Sequence, residues 1–280
     1  MALPYALVPA SFSLVAVFAW GTSDFLGGYA ARRANAFLLT AIAHLSGLVL
    51  MAGIALATHS SFPSRSAVVW ALAAGFSGGG ALAIFYRALA TGRMGLTAPV
   101  AAVLGAAIPT AVGMFSEGLP HAMQIAGFAL AATGIWLISR TEDHTRPEGI
   151  GMAALAGIGF AGYYLCTKQA GDGSALWIAS VTKVSSFALT GIVVLAGSTR
   201  QIDRRGVGFG ILAGFLDVTG SAVFVRASQT GRLDAAVVLS SLYPAITVLL
   251  ARLVLKEHFT HWKALGMVAA LVAVPMIAWQ

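Results

Sequence analysis

Four ionisable residues stand inside long apolar runs of this 280-residue chain: Asp24, His44, Lys183 and Asp217. A charge near the centre of a bilayer costs about 2.5–3.5 kcal/mol on insertion scales. Each of the four therefore needs a partner, a proton or a ligand. Asp217 is the most informative. Gly210, Gly214, Asp217, Ser221, Phe224 and Ser228 recur at alternating spacings of four and three, which is one face of a helix. That face is small and polar and suits a cavity wall that takes a cationic group or a proton. The plainer alternative is an ion pair with Lys183 on the neighbouring helix. Asp24 lies one turn from Trp20 and one turn from Gly28, with Gly21 beside them. An aromatic face and a carboxylate on one stripe suit an amine-bearing solute, and the carboxyl can exchange a proton for it. The plainer alternative is that Asp24 nears a helix end and reaches water.

His44 sits in mid-run, where a hydrogen bond to a neighbouring helix competes with a proton relay. Lys168 nears the end of its run and can snorkel to the interface. Tyr86, Phe160, Tyr163, Tyr164, Trp177 and Tyr243 are candidates for a cavity lining, because a tyrosine hydroxyl in lipid must point inward or to the interface. Trp70, Trp136, Trp262 and Trp279 lie near run ends and read as an interfacial belt. Pro99, Pro109, Pro244 and Pro275 fall inside runs, where each can kink a helix. The expected cavity set is Trp20, Asp24, Tyr86, Tyr163, Tyr164, Lys168, Asp217, Ser221, Phe224 and Tyr243. The expected buried or coupling charges are Asp24, His44, Lys183 and Asp217.

The elements that must position these residues follow from composition. The chain is 58% hydrophobic and 10% charged, with a mean hydropathy of +0.85. A soluble domain is about 25% charged, so this surface is made for lipid. The net charge of +7 comes from Lys and Arg placed singly or in pairs between apolar runs, with no basic patch of the kind that binds nucleic acid. Apolar runs of membrane-spanning length number ten, roughly 8–30, 36–57, 67–88, 95–115, 122–139, 150–168, 174–197, 206–227, 234–255 and 262–279. Phe85-Tyr86-Arg87-Ala88-Leu89-Ala90-Thr91-Gly92-Arg93 returns 139 positions later as Phe224-Val225-Arg226-Ala227-Ser228-Gln229-Thr230-Gly231-Arg232. A period of half the chain marks a duplication into halves 1–145 and 146–280. Five helices per half is an odd number, so the halves are expected to sit upside down relative to each other, as in many secondary transporters. Lys and Arg gather after the odd-numbered runs, which by the positive-inside tendency places both termini outside. Glycines spaced by four (Gly75 and Gly79; Gly206, Gly210 and Gly214) suit close helix packing and sliding during transport.

Other classes fit less well. Gly75-Phe76-Ser77-Gly78-Gly79 matches a serine-nucleophile pattern and raises a rhomboid-like intramembrane protease, with Ala43-His44-Leu45-Ser46-Gly47 as its histidine segment. In those enzymes the histidine follows the serine, whereas here it precedes it. No phosphate-binding G-x-x-x-x-G-K-[ST] loop occurs, and no metal-ligand cluster or ring of like charges is seen. No cofactor is expected, and the chain is read as a non-enzyme, monomeric or homodimeric.

Several segments carry a family resemblance. They are Ala19-Trp20-Gly21, the two Arg-Ala segments 85–93 and 224–232, Glu117-Gly118-Leu119-Pro120 with Ile125-Ala126-Gly127, and Leu255-Lys256-Glu257-His258-Phe259-Thr260 with Ala264-Leu265-Gly266. Over nearly its whole length the chain resembles the EamA-domain branch of the drug/metabolite transporter superfamily. The resemblance implies a ten-helix secondary transporter in the cell's plasma or inner membrane. In bacteria such proteins usually export amino acids, other metabolites or drugs, with small-molecule substrates and protons as partners. It also implies termini in the cytoplasm, opposite to the charge count. Lys168 fits a lysine the family often has late in helix 6, while Asp24 departs from the usual first helix.

Overall fold

The structure is a computed structural model and describes residues 7–92, 94–116, 118–139, 148–171, 173–197, 201–257 and 260–277. Arg93, Glu117, most of the 140–148 joining stretch, Asp172, Arg200, His258, Phe259 and Trp279 lie outside them, as do the side chains of Lys263 and Pro275. Among the described residues every regular element is a helix: α1 (Leu7–Ala31), α2 (Ala36–Ala57), α3 (Arg65–Thr91), α4 (Met94–Ser116), α5 (Ala122–Ser139), α6 (Ile150–Gln169), α7 (Ala175–Ala196), α8 (Arg204–Thr230), α9 (Leu233–Ser240), α10 (Tyr243–Leu255) and α11 (His261–Ile277).

Among the described residues seven stretches are long and apolar enough to cross a bilayer: α2, α3, α4 from Thr97, α6, α7, α8 and the α9–α10 pair. The other three of the ten expected runs are α1, α5 and α11, helical over 25, 18 and 17 residues. Large apolar side chains such as Phe18, Val49, Phe76, Ile192 and Leu253 face outward. Hydrocarbon, unlike water, accepts such a surface without cost.

Local chemistry sets the helix ends. Asn35, Ser64, Ser174 and Asp203 each accept a first-turn amide, at Leu38, Ala67, Trp177 and Gly206. These caps satisfy donors the helix leaves open. Gly149 opens α6 at φ 86°, a left-handed turn pressed against the Ala88 carbonyl, which a side chain would not tolerate. The ninth apolar run is not one helix. It breaks at Ser241 and Leu242, and Pro244 lies in the first turn of α10, where its missing N–H does no harm.

Several helix bounds recur at a fixed spacing. Ala36–Ala57 returns as Ala175–Ala196 and Arg65–Thr91 as Arg204–Thr230, both 139 positions on. Met94–Ser116 returns as the α9–α10 stretch, Leu233–Leu255. Packing repeats with the halves exchanged: α3 lies on α6 and α7, while α8 lies on α1 and α2. Position 75 on α3 meets Thr182 and Ser185 of α7, and position 214 on α8 meets Ala43 and Ser46 of α2. Ser185 Oγ donates to the Leu72 carbonyl at 2.7 Å, and Ser46 Oγ donates to the equivalent Ile211 carbonyl at 3.3 Å. α2 and α7, and α5 and α11, pack against their own counterparts.

A Cβ on Gly75 or Gly214 would meet the backbone carbonyl of the facing helix, whereas Gly53 and Gly191 face open space. Gly75→Val and Gly214→Val are expected to destabilise the fold by about 1–3 kcal/mol or more each, as overpacked sites do. Gly53→Ala and Gly191→Ala should be neutral. Thermal unfolding of detergent-purified protein checks both.

Candidate functional site

A cavity of about 50 Å³ lies among α1, α2, α3, α6, α7, α8 and α10. Its lining comprises Trp20, Asp24, His44, Gly78, Gly79, Leu82, Phe160, Tyr163, Tyr164, Lys183, Ser186, Asp217, Ser221 and Tyr243. Such a volume holds about four water molecules.

Hydrogen bonds to backbone fix α1, which carries Asp24. Trp20 Nε1 donates to the Asp217 carbonyl at 3.1 Å, and Ser23 Oγ donates to the Ala213 carbonyl at 2.8 Å, so α1 is tied to α8. From the other side Thr247 Oγ1 of α10 donates to the Gly21 carbonyl at 3.0 Å. With no apolar driving force between helices in lipid, such bonds and small-residue contacts set the packing.

The electrostatics are uneven. Lys183 Nζ sits 2.7 Å from Asp217 Oδ2, with both side chains nearly buried. The sequence offered this pair as the plainer role for Asp217, and the structure forms it while Asp217 also lines the cavity. Asp24 is 6% exposed and makes no hydrogen bond or ion pair among the described residues. Neither imidazole nitrogen of His44 makes a hydrogen bond of standard geometry, although the Gly79 backbone lies beside the ring. The Tyr243 hydroxyl is likewise buried without a partner. With Lys183 positive, Asp24 and Asp217 negative and His44 neutral, the lining carries a formal charge of −1.

The structure brings together Trp20, Asp24, His44, Phe160, Tyr163, Tyr164, Lys183, Asp217, Ser221 and Tyr243. It does not bring Tyr86, Phe224 or Lys168 to the lining. Tyr86 is fully buried behind Gly27, its hydroxyl 3.1 Å from Ser23 Oγ. Phe224 stacks behind the lining on Trp20 and Tyr164, with ring centroids 5.5 and 4.9 Å away. Lys168 reaches the Ser228 carbonyl at 3.1 Å, near the end of α8. Trp177 donates to the Ser60 carbonyl and packs on Phe62, away from the cavity. Ser186 and Leu82 line the cavity without having been singled out. Two signals pointed to them: Ser186 is one turn beyond Lys183, and Leu82 is the repeat counterpart of Ser221. Ser77 Oγ donates to the Gly159 carbonyl at 2.8 Å and so braces α3 on α6; no bond to His44 is formed. The protease arrangement is therefore not supported.

Two polar clusters lie at opposite ends of α4, about 34 Å apart at the usual helical rise. At its start the Gly95 amide donates to Glu257 at 3.3 Å, and Arg32 approaches the same carboxylate at 3.4 Å. Beyond its end Arg232 donates to the Gly118 carbonyl at 2.7 Å and grips fully buried Asp234 with two bonds, at 3.1 and 2.8 Å.

The sequence model of the EamA-like transporter family matches residues 147–279. No curated protein matches the chain. One solved structure, described only as "Crystal structure of protein", is similar over 96% of this chain and 95% of that one, with a TM-score of 0.74 at 16% identity. At that identity the likeness is one of fold.

Removing one member of a buried ion pair leaves an uncompensated charge and costs about 3–5 kcal/mol, whereas neutralising both members costs little. Lys183→Met alone is thus expected to lower the unfolding temperature sharply. The double variant Lys183→Met with Asp217→Asn should recover most of the loss, measured on detergent-purified protein.

Proposed function

We propose, on the premise that the chain belongs through residues 147–279 to the EamA-like transporter family, that it is a secondary active transporter which moves small solutes out of the cell across the plasma or inner membrane by alternating access. That match and the apolar helices support a membrane-spanning, transporter-family character. The finer reading has ten spanning helices in two inverted halves, 1–145 and 146–280. The recurrence of helix bounds and of paired contacts at a spacing of 139 supports it. An odd number of spans per half turns the second half over.

One observation carries the reading: a carboxylate without a partner, Asp24, faces a cavity enclosed by helices of both halves. A buried charge of this kind is stable when neutralised by a proton or by a bound cation. The substrate class is a small amine-bearing metabolite, amino acid or cationic drug, exchanged for protons. Aromatic rings of Trp20, Tyr163 and Tyr164 give the cation a favourable face. The clusters at the two ends of α4 serve as latches that open in turn, exposing the cavity first to one side and then to the other.

In liposomes carrying a pH gradient, wild-type protein is expected to accumulate a cationic amine, and Asp24→Asn to lose at least about tenfold in rate, the worth of one lost ionic contact of about 1.4 kcal/mol. Transport by Asp24→Asn at the wild-type rate with an unchanged pH profile would end this reading. Ser77→Ala should transport normally; a folded variant that does nothing would revive the hydrolase. Glu257→Gln weakens one latch only. It should make a cysteine placed at Ser221 react faster with a charged thiol reagent from one side of the membrane and no faster from the other.

A further inference from the structure

We infer that the cavity is built for a single primary ammonium group, taken up in one-for-one exchange with a single proton, and that quaternary cations are disfavoured. The inference deepens the transporter reading above and uses the same site, but its test is binding alone.

The count of charges comes first. The groups facing Asp24 from the elements packed around it are His44 on α2, Tyr86 on α3, Tyr163 and Tyr164 on α6, Lys183 on α7, Asp217 on α8 and Tyr243 on α10. Lys183 is held by Asp217 at 2.7 Å, so the positive charge nearest the centre is already used. One negative charge remains. A proton on Asp24 cancels it, and so does one monovalent cation. Both together would leave a buried +1, and neither would leave a buried −1; the interior of a bilayer penalises both. Proton and cation therefore exclude each other, and the exchange moves no net charge.

The hydrogen-bond inventory selects the kind of cation. Asp24 is an acceptor when ionised, and its carboxylate has no partner among the described residues. The Tyr163 and Tyr243 hydroxyl oxygens and a neutral His44 nitrogen are further acceptors without a partner. Buried acceptors want N–H or O–H groups, and an ammonium brings three N–H donors into one small sphere. A quaternary ammonium brings none. It would leave Asp24 and Tyr243 unsatisfied.

The test uses the full chain in detergent, with propylammonium and its propyltrimethylammonium analogue as probes, titrated calorimetrically from about pH 5.5 to about pH 8.5. Propylammonium is expected to bind at least about tenfold more tightly than the analogue. Its affinity should fall on acidification with a slope approaching one proton per ligand, or about tenfold per pH unit on the acid arm. Asp24→Asn should lose binding and Asp24→Glu should keep it. Tyr243→Phe should weaken propylammonium several-fold and leave the analogue unchanged. If Asp24→Asn fails to elute as folded protein, Asp24→Glu and the wild-type pH slope decide. Equal affinity for the two probes, affinity independent of pH, or no propylammonium binding at all overturns the inference. Binding as stated without transport in liposomes would sink the transporter reading and leave this one standing. Transport with a preference for quaternary cations would do the reverse.

Discussion

The bilayer's refusal to solvate a charge is the constraint on which the centre of this bundle depends. Lys183 and Asp217 meet that constraint by pairing with each other. They come from neighbouring helices of the second half, and positions 139 earlier are His44 and Gly78. On the duplication reading the copies have diverged: positions 183 and 217 hold ions where 44 and 78 hold a ring and a glycine, and position 24 holds an acid where 163 holds a phenol. His44 lines the cavity as Lys183 does, and Gly78 lies against the Tyr163 ring. Tyr163 is itself the counterpart of Asp24. No acid or lysine of the cavity is repeated at its counterpart position: Lys183 answers to His44, Asp217 to Gly78 and Asp24 to Tyr163.

Outside the cavity the bundle is held by small residues and backbone acceptors. Ser23, Ser46, Ser77, Ser185, Ser186 and Thr247 all donate to carbonyls of a neighbouring helix. Each such carbonyl already serves its own helix, so the extra bond uses a spare lone pair. Glycine at 75, 79 and 214 lets the backbones come close enough for these bonds to form. Helices joined this way lack deeply interlocked side chains at the contact. The same property that allows close approach allows small sliding.

Much of this was legible in the chain. A nine-residue segment that recurs with six identities at a spacing of 139 forecast helix bounds that recur at that spacing in α2 and α7, α3 and α8, and α4 and the α9–α10 stretch. The four-and-three spacing around Asp217 named the face that lines the cavity at Asp217 and Ser221. Depth along that face was not legible. Phe224 sits one turn beyond Ser221 on the same stripe, yet its ring turns behind Trp20 and Tyr164. Periodicity gives a direction from the helix axis, and a helix in a bundle has several neighbours in nearly that direction. Tyr86 fails for a related reason: glycine at position 27 opens a slot in α1 that draws the ring away from the cavity. Lys168 was placed by a family habit, and its length lets it reach the Ser228 carbonyl instead. The break between α9 and α10 was signalled only by Pro244, a residue that a continuous helix also accommodates, as α4 does with Pro99 and Pro109.

On the inverted-repeat reading proposed above, identical halves would make the inward-open and outward-open forms two-fold-related arrangements of equal energy. The bias between them must come from positions where the halves differ. The two ends of α4 are such positions. Gly95 and Glu257 meet at one end, and their counterparts Asp234 and Gly118 lie at the other, with the acid moved to the opposite member of the pair. Asp234 is fully buried and gripped twice by Arg232, which also holds the Gly118 carbonyl. Glu257 is partly exposed, and its contacts are longer, at 3.3 and 3.4 Å. A short, desolvated, two-pronged bond outweighs an exposed one of that length, which contributes about 1 kcal/mol or less. The Arg232 end of α4 is thus the more firmly tied of the two, and the Glu257 end the looser.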